Sequence, residues 1–231
     1  LVIDDLGRGV LLVITGRGGD NRISLSDVTI SGTLRSMIAR NSDLFGTLHV
    51  TGAIGNLALG NISGTIWSGD AIANLSAGDL LSGDVFATTT LGRLKFGHVS
   101  GTIASGSDVI GSIAAASLDS ARLLSGANLG ADGMVGGSGP NADTYGPGAI
   151  GSIKIAGTIK SSFIGAGVQP VGTTFGGSGD KGVGGASSAI RFLSARGADQ
   201  ASRFEAGAFG RVKLPAMVDV LHDPRFRTLA G

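Results

Sequence analysis

Cysteine is absent from the 231 residues, so neither a disulfide framework nor a thiolate metal site can hold this chain together, and the redox compartment is left open. Glutamate occurs only at Glu205, lysine at five positions, proline at five, and tryptophan and tyrosine once each. With helix-forming surface residues so scarce, helices are disfavoured. The longest aliphatic run, Val10 to Ile14, is far shorter than a membrane span, and none is expected. Charge of one sign is also missing. The 18 basic residues offset 17 acidic ones to leave +1, and they are scattered singly along the sequence. Without a basic cluster, nucleic acid is not expected as a partner.

What the chain has is glycine, at 42 positions with no period of three, together with abundant Ile, Val, Leu, Thr and Ser. That composition predicts short strands and frequent tight turns. The 42% hydrophobic content can fill a sizeable core without cross-links. A start at Leu1, with neither methionine nor a leader pattern, leads us to expect a mature or excised part of a longer protein.

A repeat organises the sequence. The pattern "aliphatic, small, any, aliphatic" recurs at a nearly constant interval, as IGNL at Ile54, IANL at Ile72, LGRL at Leu91 and IGSI at Ile110. It returns as IGSI at Ile150 and IRFL at Ile190, each after roughly twice that interval, and as FGRV at Phe209 after the regular one. A second apolar pair follows a polar corner in each unit, as in Asn61, Ile62 and Ile66, and SGTI recurs at Ser63 and Ser100. Alternation by two, as in Leu57 and Leu59 or Ile153 and Ile155, is strand periodicity. Units too small to close a core of their own become stable by stacking strand on strand.

The pattern resembles that of parallel β-helix or β-solenoid proteins. More loosely, the Gly-Ser-Ile units and the ending RFEAGAFGRVKLPAMVDVLHDPRFRTL look like repeat regions of large secreted bacterial surface proteins. The expected fold is an all-β, single-stranded-type parallel β-solenoid with rungs of about 19 residues, forming one domain over 1–231. Residues 1–22 would be an N-terminal cap, 23–214 the rungs and 215–231 a C-terminal cap or tail, because open solenoid ends leave strand edges unpaired. A right-handed coil is expected, as for parallel crossovers generally.

Two corners are enlarged, over 124–149 and 164–189. Both carry GGSG, at Gly136 and Gly176, and stacking would set the two loops side by side. Loop residues are the candidates for ligand contact: Asn141, Asp143 and Tyr145 in the first loop, Phe175, Asp180 and Lys181 in the second. Glycine-rich loops that only decorate the surface would give the same pattern. A phosphate loop is disfavoured because Asp180 precedes Lys181 and Gly182 follows it, where Gly-Lys-Ser/Thr is needed. GRGGDNRIS (Gly16 to Ser24) is a single copy and places Asn21, not an aspartate, two positions before Ile23, so a plain turn outweighs a calcium nonapeptide. His49, His98 and His222 are dispersed, and no metal site is assigned. Trp67, next to inward Ile66, should point outward as a single contact point.

No catalytic residue and no cofactor is assigned, since the aspartates fall about one per rung at corners, where they bond turn backbone. The expected function is a non-enzymatic structural or adhesive module of a secreted or cell-surface protein, associating with itself end to end or with an extracellular polymer. The alternative is a polysaccharide-binding or polysaccharide-cleaving β-helix that uses the two loops.

Overall fold

The computed structural model describes residues 1–4, 7, 9–16, 21–215 and 219–230, without the side chain of Asp108. Each turn of the chain lays one strand on each of three flanks. Sheet I has ten strands, from Val2–Asp4 to Phe226–Thr228, and sheet II has nine, from Val10–Val13 to Ala208–Lys213. Sheet III begins with Ile23–Leu25 and Ser42–Leu44, continues through single bridges linking Leu44, Ile62, Leu80 and Val99, and ends with four short strands from His98–Val99 to Gly197–Ala198. All pairing between rungs is parallel. The chain is a parallel β-solenoid.

Register follows the sequence repeat. Ile54 pairs with Ile72, then Leu91, Ile110, Ile150 and Ile190, so the long interval from Ile110 to Ile150 advances the stack by one rung, as the short one from Ile54 to Ile72 does. Sheet I aligns Leu48, Ile66, Val85, Ile103, Leu123, Ile164 and Phe204 in the same way. These columns point inward and are almost fully buried, giving a core of stacked aliphatic side chains. At the C-terminal end aromatic rings close it: Phe226 stacks on Phe204 at 4.6 Å and meets Phe209 edge-on at 5.4 Å.

Strand geometry alone cannot turn both isoleucines of Ile-Gly-Ser-Ile inward, because side chains alternate. The structure bends the strand at the glycine: Ile110 and Ile113 are buried while Gly111 and Ser112 lie between them on the outer side. The glycine is therefore a mid-strand bend within Asp108–Ala115. A Cβ on Gly111 would stand 2.7 Å from the carbonyl oxygen of Gly92 in the rung before. Period length has an equally local cause. The interval from Ile72 to Leu91 exceeds that from Ile54 to Ile72 by a single position, Ser82, which takes a left-handed conformation (φ 58°).

Polar side chains tie successive corners together. The Asn61 N–H donates to Asp43 Oδ1 (2.7 Å), the Asp79 N–H to Asn61 Oδ1 (3.0 Å) and the His98 N–H to Asp79 Oδ1 (2.6 Å). Each corner side chain thus satisfies the backbone of the next rung, a requirement wherever the ladder is interrupted.

The terminal segments join the stack. Val2–Asp4 and Val10–Val13 pair in parallel with Val28–Ser31 and Leu34–Ala39, so much of 1–22 is itself a rung. Residues 17–20, within the segment that resembles a calcium nonapeptide, lie outside the described residues, as do 216–218. Beyond them, Phe226–Thr228 returns to sheet I against Arg203–Ala206.

Ile150→Ala is expected to destabilise by about 2–5 kcal/mol, as a buried large-to-small change in a site that cannot collapse. Gly101→Ala should also destabilise, since its Cβ would overlap the Gly83 carbonyl oxygen. Asn56→Ala on the outer side should stay within about 0.5 kcal/mol of wild type. Urea midpoints measure all three.

Candidate functional site

The outer side of sheet I is where the two loops go. Its outward positions Phe86, Ala104, Leu124 and Phe163 would expose a contiguous apolar strip, and the loops fold back to cover it. They form a second hydrophobic cluster with Ala127, Leu129, Val168 and Leu229, flanked by Trp67, Val135, Tyr145 and Phe175. Each loop opens and closes with a short antiparallel pair, Ala127–Asn128 with Thr144–Tyr145 and Val168–Gln169 with Lys181–Gly182. The loops also touch each other: the Phe175 ring stacks on Phe163 at 5.2 Å and meets Tyr145 edge-on at 6.2 Å.

Each loop is drawn in by its own carboxylate. Asp143 Oδ2 accepts hydrogen bonds from the Gly136 N–H (2.6 Å) and the Tyr145 hydroxyl (2.6 Å). Asp180 accepts from the N–H groups of Gly176 (2.7 Å), Gly177 (3.2 Å) and Val171 (3.2 Å). The first glycine of each GGSG is therefore held by an aspartate that follows it in the same loop. Burial and then the bond to Asp143 push the Tyr145 hydroxyl above its ordinary pKa. Asp143, Tyr145, Phe175 and Asp180 thus lie within the folded loops. Asn141 ends a one-turn 3₁₀ segment, its N–H donating to Ser138, and Lys181 is exposed at the second strand pair.

Beneath the second loop lies an ionic cluster that reasoning along the sequence did not find. Glu205, 2% exposed, stands on the outer side of sheet I next to Arg227, whose Nη2 is 2.9 Å from Glu205 Oε1 and 4.0 Å from Asp180 Oδ2. Burial pushes the Glu205 carboxyl up to about 7; Arg227 pulls against this and Asp180 adds to it. The signal available in the sequence was that its single glutamate falls at an outward strand position.

His49 and Trp67 pair in register on adjacent strands of sheet I, at outward positions, and stack at 4.4 Å with planes 2° apart. Trp67 is therefore half of a two-ring platform, not an isolated contact. With Thr47, Thr65, Phe86 and Asp132 of the first loop it lines an open groove of about 450 Å³.

Among the described residues, no loop covers sheet II. Its outward positions are mostly small, and they form a shallow trough along the axis. One part, about 250 Å³, includes Ile38, Asn56, Ala58, Asn74, Ser76 and Lys95; the other, about 500 Å³, includes Lys95, Ala114, Lys154, Phe192, Ser194 and Lys213. The parts meet at Lys95. Strands of sheet II contain seven basic residues, Arg35, Arg93, Lys95, Lys154, Arg191, Arg211 and Lys213, and one acidic residue, Asp108. Those of sheet I contain three of each sign, and those of sheet III one basic and two acidic. Basic residues that are scattered in the sequence are therefore gathered on one flank by the coil. Among the described residues, no ion pair involves any of the seven.

Among the described residues no three His, Asp or Glu side chains converge to hold a metal ion, and no helix is long and apolar enough to cross a membrane. The fold defines a parallel β-solenoid. The chain matches no protein-family model, and no curated protein or solved structure is significantly similar to it.

Asp180→Ala should free the second loop, because it leaves three N–H groups without their acceptor; limited proteolysis is expected to cut within 167–188 far faster than in wild type, with the rungs intact. For Glu205 the sign follows from its raised pKa. Between about 4.5 and about 7 the folded chain keeps a proton that the unfolded chain has released, so stability falls as pH rises through that window. Glu205→Gln should remove this slope: its melting temperature should exceed that of wild type at pH 8, and the difference should shrink towards pH 4.5.

Proposed function

We propose that this chain is a non-enzymatic structural or adhesive module of a secreted or cell-surface protein, comparable to the repeat regions of large bacterial surface proteins. One contrast carries the reading: the loops cover the strip of sheet I from Phe86 to Phe163 with their own carboxylates and rings, while among the described residues nothing covers the trough of sheet II. Carboxylates that accept bonds from their own loop are poorly placed to work as an acid and base pair on a ligand. A stiff rod with one open flank suits attachment to an extended extracellular polymer.

Ala114→Trp places a bulky ring in the trough at an exposed position and should leave the fold intact. Wild type is expected to be retained on immobilised extracellular polysaccharides without releasing reducing ends, and Ala114→Trp to lose at least about tenfold in retention, the equivalent of roughly 1.4 kcal/mol. Equal retention of the two proteins would contradict adhesion through sheet II.

End-to-end association belongs to the same reading. Among the described residues, Val2–Asp4 and Val10–Val13 are edge strands paired on one side only, and Leu1, Val2, Leu11 and Val13 are exposed. Edges of this kind template further strands. Sedimentation velocity should show concentration-dependent growth of linear species; a strictly monomeric profile at high concentration would remove self-association from the account.

A second reading, polysaccharide binding beside the first loop, is favoured by the His49–Trp67 platform and its groove. Trp67→Ala would then abolish binding on a glycan array that Ala114→Trp leaves unchanged.

A further inference from the structure

Three of the five lysines lie in one column of sheet II. Lys95 is in register with Ala114, Ala114 with Lys154, Lys154 with Ser194, and Ser194 with Lys213. Cationic and small side chains therefore alternate rung by rung. At a strand separation of about 4.8 Å the lysines recur about every 10 Å and span about 19 Å along the axis. All three are exposed, and Arg93 and Arg211 stand in the adjacent outward column. Between the charges the lining combines small apolar groups, Ala114, Ala115 and Ala156, with Phe96, Ile155 and Phe192.

From this array we infer that the trough of sheet II binds a linear anionic polysaccharide lying parallel to the solenoid axis, with its carboxylate or sulfate groups on Lys95, Lys154 and Lys213. The inference rests on the adhesive reading and gives its ligand a chemical class. Charge complementarity is the first argument. The flank is basic, its cations form no ion pair among the described residues, and their spacing is comparable to the screening length at moderate salt, so neighbouring lysines act on one ligand together. Shape is the second. The trough is shallow, and its lining runs the length of the column from Lys95 to Lys213, which suits an extended polymer and not a compact anion. Lysine ammonium groups are mobile point charges without the planar fork of arginine, so they accept carboxylate or sulfate in many orientations.

Nucleic acid carries charge of the same sign but fits less well. Single strands are held by aromatic rings on which bases stack. Of the rings lining the trough, Phe96 is buried and Phe192 half-buried. A duplex is read by a helix or a β-ribbon entering its major groove, and a broad sheet flank supplies neither.

The test uses the whole chain and four probes: size-graded polygalacturonate fragments, heparin, dextran and oligo(dT). Affinity for polygalacturonate or heparin should rise with probe length until the probe spans about 19 Å, then level off. It should also fall at least about tenfold between about 20 mM and 300 mM salt. The triple variant Lys95→Gln/Lys154→Gln/Lys213→Gln should lose at least tenfold. Arg122→Gln/Lys160→Gln, which removes charge from exposed positions on sheets I and III, should bind within about twofold of wild type. Equal losses in the two variants would overturn the inference, since net charge and not the column would then govern binding. Preferential binding of oligo(dT) with the same triple-variant loss would overturn it in favour of nucleic acid. Retention of dextran alone, still blocked by Ala114→Trp, would overturn the ligand class and leave the adhesive reading standing. Binding that Ala114→Trp leaves unchanged would overturn both.

Discussion

Parallel, in-register hydrogen bonding between successive rungs is the constraint on which the rest of the structure depends. It places each residue against its counterpart one rung away, so whatever the sequence repeats becomes a column. Aliphatic repeats become a core with Ile54, Ile72, Leu91, Ile110 and Ile150 in line. Polar corner residues become a ladder of side chain to backbone bonds. Glycine recurs where a Cβ would strike the preceding carbonyl, as at Gly111 and Gly101. No cross-link is present, and none is needed when almost every inward position is apolar and buried.

The same constraint explains how enlarged corners are tolerated. Loop closure costs little extra per added residue once the ends are fixed. Here the two extra segments also bury surface, covering the apolar outer side of sheet I. That strip extends the stack sideways, with Phe163, Phe175 and Tyr145 joining rung to loop and loop to loop. Glu205 and Arg227 beneath the second loop are the least comfortable part of this arrangement: Glu205 Oε2 and Arg227 Nε are buried without hydrogen-bond partners. A buried ion pair of incomplete geometry contributes little stability and makes it depend on pH.

Much of the fold was legible in the sequence because a solenoid writes its register directly as a period. The pairing of Ile110 with Ile150 could be read from a repeated tetrapeptide. The role of its glycine could not, since a mid-strand bend and a corner demand the same residue. The extra turns were visible as doubled intervals, but their direction was not. Whether they project or fold back depends on the outward residues of sheet I, and Phe86 and Phe163 only become neighbours of the loops in three dimensions. The flank charge is legible only when the sequence is read by rungs. Lys95, Lys154 and Lys213 are evenly but widely spaced in the sequence and look isolated; counted in rungs they are two apart and share one column. His49 and Trp67 teach the same lesson at a separation of one rung. In a repeat protein, charge and aromatic patterning have to be read down the period as well as along the chain.

Distance along the solenoid axis counts rungs and not residues. Because the chain has no native cysteine, spin labels can be placed singly and in pairs at Ser36, Ser112 and Ser152, which share one outward column of sheet II. Pulsed electron–electron resonance should give about 19 Å between 36 and 112 and about 24 Å between 36 and 152, from four and five steps of about 4.8 Å. The whole segment from 112 to 152, enlarged corner included, would then add one rung spacing. An increase of about 15 Å or more on moving the second label from 112 to 152, roughly three rungs or beyond, would contradict the account.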